Sequence, residues 1–137
     1  MFDPLTLATQ LLKSDPELGH KIRVATFCSP DESLLGLAEV IKFLGLAAAE
    51  PKRACTPSRR VDLAWHEFIL FTRTYCEFCQ EHFGRYIHHD PARTGVSCSA
   101  QYLDTLRCYR LSFGEPEPAW WDPGGAGTAD CGACEAQ

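Results

Sequence analysis

At 137 residues and 15.3 kDa the chain fits one domain, since two independent cores would be cramped at this size. Hydrophobic residues make up 45% and charged residues 23%, which excludes wholesale disorder. Thirteen basic against 18 acidic residues give a formal charge of −5 and a pI near 5.5, which argues against a nucleic-acid binder.

In chain order, the punctuation predicts helices. Asp3-Pro4 opens a short helix to about Lys13, with Asp3 as cap and proline in the first turn. Asp15-Pro16 repeats the signal for a second helix carrying Leu18, Ile22 and Ala25. Ser29-Pro30-Asp31-Glu32 makes a capping box for a third, which buries Leu34, Leu37, Ala38, Ile41 and Leu44 and ends before Pro51. Only Ile22-Arg23-Val24 hints at a strand. Thr56-Pro57-Ser58 caps a central segment from Arg59 to Phe83, ended by Gly84. On it Val61, Trp65, Phe68, Ile69, Thr72, Tyr75, Cys76, Cys79 and Phe83 share one face. A last helix near 100–113 carries Tyr102, Leu106, Tyr109 and Phe113. Prolines and glycines then mark an irregular tail, which Trp120-Trp121 should dock onto the core, with a partner-binding patch as the second reading.

No apolar run reaches the roughly 18–20 residues that span a bilayer, and MFDPLTLATQ lacks the basic and apolar regions of a signal peptide. The expected setting is therefore a reducing cytoplasm. There the eight cysteines should be buried, free or metal-bound rather than paired. Four of them form the CxxC pairs Cys76/Cys79 and Cys131/Cys134, too far apart for the usual zinc-ribbon spacing.

Asp62 and His66, four apart, stack on one flank of the central helix and can share a hydrogen bond. If the chain turns back after Gly84, His88-His89-Asp90 can meet them. Two histidines with a carboxylate and a thiol suit zinc, while two histidines and one carboxylate suit iron. The alternative is structural: His66 bonded to Asp62 as a polar bracket, beside a solvated His-His-Asp turn. Cys79 is either a thiolate ligand or, like Cys76, a small core residue. Cys131 and Cys134 lie in a Gly-rich stretch as a metal clamp, a labile dithiol or a plain terminus. Arg59 and Arg60, against the helix macrodipole, are a solvated end or an anion contact.

The stretch Pro57 to His66 (PSRRVDLAWH), followed by Tyr75, Phe78-Cys79, Gly84 and His88-His89, resembles the bacterial glycine-rich domain-containing protein-like family. That domain has no established activity and also occurs in plant glycine-rich domain proteins. The likeness covers about residues 30–114, with the Asp-x-x-Trp-His core as its specific part, and residues 124–134 are similar to the Gly/Cys tails of short bacterial members. It implies a helical fold and adds weight to a metal role for Asp62, His66, Cys79 and His89. The expectation is all-α: a helical domain over 1–113 with about five helices around the 59–83 segment, then an irregular tail over 114–137. Its expected role is a small cytoplasmic zinc-binding module (iron or copper as alternatives) that binds a protein partner, but neither nucleic acid nor membrane. The rival is a metal- or thiol-dependent enzyme using His66 and His89, with Glu67 or Asp62 assisting. A third reading is metal handling through Cys131 and Cys134.

Overall fold

The computed structural model describes residues 2–90 and 99–122. Over these the chain is all-α, with helices α1 (Pro4–Ser14), α2 (Pro16–Thr26), α3 (Pro30–Ala49), α4 (Arg59–Leu70), α5 (Thr72–Phe83) and α6 (Ser99–Phe113). Ile22-Arg23-Val24 lies inside α2, and there is no strand among the described residues. None of the described helices is long and apolar enough to cross a membrane.

Helix starts follow the prolines, but the caps differ in kind. Neither Asp3 nor Asp15 caps its helix with a side chain; the Asp3 carboxylate instead accepts a hydrogen bond from the Thr6 hydroxyl. Ser29 and Glu32 form the full capping box: the Glu32 N–H donates to Ser29 Oγ at 3.2 Å, and the Ser29 N–H to Glu32 Oε1 at 3.3 Å. That backbone hydrogen bond from Ser29 holds the Glu32 carboxyl below its ordinary 4.5.

Helix α3 packs against α1, α2, α4 and α6. Its Leu37, Val40, Ile41 and Leu44 form one buried stripe, and Ala38, Phe43 and Leu46 are buried off it, so its apolar surface extends well beyond one narrow stripe.

The expected 59–83 segment is two helices. The backbone breaks at Phe71 (φ −84, ψ 68), whose N–H turns to the Phe68 carbonyl at 3.1 Å. Packing explains the break: Phe68 meets Tyr75 edge-on at 5.0 Å and Phe78 at 5.5 Å. In one continuous helix Phe68 and Phe78 would stand about 15 Å apart along the axis. Folding back rephases α5, so Tyr75, Phe78 and Cys79 are buried while Thr72 and Cys76, expected in the core, are exposed.

Trp120 and Trp121 do dock on the helices, both buried. The Trp121 Nε1–H donates to Glu39 Oε1 at 2.9 Å, and Ser58 Oγ donates to the Trp120 carbonyl at 2.5 Å. Arg60 is not simply a solvated end: its guanidinium lies 3.7 Å from the Glu32 carboxylate. Its guanidinium covers the Trp120 ring at 4.0 Å and donates to the Ala119 carbonyl at 2.8 Å.

Candidate metal centre

Two pieces of chain build the site. Ser58 caps α4 by accepting from the Val61 N–H at 3.1 Å. Asp62 follows within the first turn, where the helix dipole favours a carboxylate. The second piece begins at Gly84, whose φ of 73 ends α5 in the left-handed region. Arg85 then donates to the Ala47 carbonyl at 3.2 Å. In the core, Trp65 Nε1–H donates to the Tyr75 hydroxyl at 3.0 Å, and that hydroxyl donates to the Ile87 carbonyl at 2.6 Å. Burial pushes the Tyr75 hydroxyl far above its ordinary value, so it stays protonated and keeps donating. These tethers lay residues 86–90 back along α4 and set His89 on Asp62.

His89 Nε2 lies 2.7 Å from Asp62 Oδ1, and His66 Nε2 lies 3.8 Å from Asp62 Oδ2. The bond expected between Asp62 and His66 is therefore made by His89, and 3.8 Å is too long for a hydrogen bond. The His89 ring also packs on two neighbours, with its centroid 4.1 Å from that of Trp65 and 4.5 Å from that of His66. Asp62 is buried, only 3% exposed; placed beside the core face in the sequence reading, it needs a partner at this depth, which His89 supplies. The His66 side chain is 40% exposed and leaves one side open to water.

One ligand atom from each of Asp62, His66 and His89 lies within 4.8 Å of the others. Tetrahedral zinc, with bonds of about 2.0–2.1 Å, sets its ligand atoms about 3.3 Å apart. The 2.7 Å separation runs to Oδ1 and the 3.8 Å one to Oδ2, so an ion would replace the His89–Asp62 hydrogen bond and draw the three donors to that spacing.

Cys79 stands apart from this group. It is buried in the α5 core, and burial pushes its thiol up. His88 is exposed, with its ring 4.7 Å from that of Tyr86, and Glu67 is outside the group as well. Cys131 and Cys134 lie outside the described residues. The polar ends of Trp65 and Tyr75 were missed because both residues read as plain core at helical spacing; a buried Trp or Tyr needing a partner was the available signal.

Residues 31–114 match the profile of an uncharacterised family. The chain belongs to the UCP032817-like family. The UCP032817-like span takes in nearly all of α3 and the whole of α4, α5 and α6, hence all three residues of the Asp62, His66 and His89 group. Helices α1 and α2 and the Trp120-Trp121 anchor fall outside it. No curated protein and no solved structure gives a significant match.

Proposed function

We propose that Asp62, His66 and His89 hold one divalent metal ion, zinc in first place, and that the domain acts as a metal-stabilised binding or assembly module for a protein partner in the cytoplasm. The carrying observation is the convergence of two imidazoles on one buried carboxylate from separate pieces of chain. An ion there would cross-link α4 to residues 85–90 and stabilise the fold by mass action, by about 2.7 kcal/mol at a hundredfold excess over Kd. The same donors suit iron(II). The likeness of the Asp-x-x-Trp-His stretch to glycine-rich domain proteins supports the choice of Asp62 and His66.

The openness at His66 favours a second reading, a metal-dependent enzyme. Three protein ligands leave a coordination position for water or substrate, as in catalytic rather than closed structural zinc sites.

The test is elemental analysis of protein purified without added metal, then zinc titration after chelation. One equivalent should bind, His66→Ala and His89→Ala should each weaken it more than tenfold, and His88→Ala should leave it unchanged. Folded protein that takes up no zinc, or binds it equally in His89→Ala, overturns the reading.

A further inference from the structure

On the opposite side of the α4 N-terminus, the segment leading into Ser58 lies along α6. Arg53 reaches two residues one turn apart, with Nη1 2.8 Å from Cys108 Sγ and Nε 3.2 Å from Asp104 Oδ2. Three residues on, the Thr56 N–H donates to Thr105 Oγ1 at 3.0 Å, and the Thr56 hydroxyl donates to Gln101 at 3.1 Å. Cys55 lies between these contacts. Residues on either side of it are therefore both held to α6, Arg53 at Cys108 and Thr56 at Thr105, one turn or less apart along the helix. Both sulfurs are free thiols and both residues are partly exposed. Burial pushes the Cys55 thiol up, with Cys108 beside it the next contribution in the same direction.

We propose that Cys55 and Cys108 form an oxidisable dithiol that hydrogen peroxide converts to a disulfide, with Arg53 orienting the Cys108 sulfur. The Cys108 thiolate attacks a peroxide oxygen: an S–O bond forms, the O–O bond breaks, and the departing hydroxide takes up the thiol's proton as water. Arg53, already on that sulfur, holds the resulting sulfenic acid. Cys55, giving up its proton, then attacks the Cys108 sulfur; the S–S bond forms, the S–O bond breaks and a second water leaves. Two electrons pass from the sulfurs to the peroxide. The product staples residues 53–56 to α6 and so fixes the approach to the Ser58 cap.

The full chain is treated with near-stoichiometric hydrogen peroxide, remaining thiols are alkylated, and peptides are mapped by mass spectrometry without reduction. A Cys55–Cys108 peptide should form and be reversed by dithiothreitol. Cys55→Ser should stop at a Cys108 sulfenic acid, captured by a cyclic dione, and Arg53→Gln should slow oxidation several-fold. The wild-type map needs no variant to fold. If Cys55 and Cys108 are still alkylated after other cysteines have oxidised, or link only in urea, the dithiol is refuted; an unchanged rate in Arg53→Gln refutes the role of Arg53.

Discussion

Gly36 offers a test of how the C-terminal tryptophans are held. A Cβ added there would lie 2.4, 2.8 and 2.9 Å from three carbons of the Trp120 ring, so the ring must withdraw by about 1 Å to reach ordinary contact. It has little room to do so, with Ser58 on its carbonyl and Arg60 across its face. Overpacking of this kind costs about 1–3 kcal/mol, while alanine over glycine inside a helix returns about 1 kcal/mol. With three ring atoms struck, Gly36→Ala should lose on the order of 1–2 kcal/mol, or roughly 3–8 °C in Tm. Gly45 provides the control: its added Cβ meets only the Phe2 ring at 3.3 Å, and Phe2 is 39% exposed and able to move. Gly45→Ala should be neutral or stabilising. In a Trp120→Ala background the sign at Gly36 should reverse, and a double-mutant cycle by urea denaturation would read the coupling. A Gly36→Ala protein as stable as wild type would refute the wedge of Trp120 on α3.

Two further outcomes follow from buried polar groups. Glu39 Oε1 accepts from the Tyr109 hydroxyl at 2.5 Å and from Trp121 Nε1 at 2.9 Å, and Lys42 Nζ holds Oε2 at 3.0 Å. Glu39→Ala strands two buried donors and should cost about 2–4 kcal/mol in urea denaturation, whereas Glu39→Gln keeps an acceptor and should cost less; equal losses would contradict the network. Burial pushes Tyr102 up to about 12 and raises Tyr75 and Tyr109 further. A raised folded-state value favours the protonated form, so this stability is fully present below the ordinary 10 and is lost as pH climbs towards 12 and beyond. Tyrosinate absorbance at these residues should therefore appear together with loss of helical circular dichroism, and early ionisation of the folded protein would count against their burial.

Local signals were legible where they depend on a few neighbouring residues. Ser29 with Glu32, and Ser58 ahead of α4, cap as their side chains allow. Phe71 carries no glycine or proline, and the α4–α5 corner forms because Phe68 reaches Phe78 across it, a tertiary preference that periodicity cannot carry. For the same reason Cys76 read as core and lies in water. Asp62, His66 and His89 could be named from residue type and from the turn at Gly84. Which histidine bonds the carboxylate could not, because the Tyr75–Ile87 bond that places His89 joins a helix to an extended segment.

The two imidazoles rest on unequal supports. His66 is part of a capped helix, while His89 rides on a short extended run pinned by Tyr75 and Arg85. An ion bound between them would meet a competent site only for the fraction of time that the run is seated, and its apparent affinity would scale with that fraction. The strength of the grip is then set in the aromatic interior rather than by the ligands. Tyr75→Phe touches no donor atom of the Asp62 group, yet each 1.4 kcal/mol by which it favours the unseated state would weaken binding about tenfold once that state predominates.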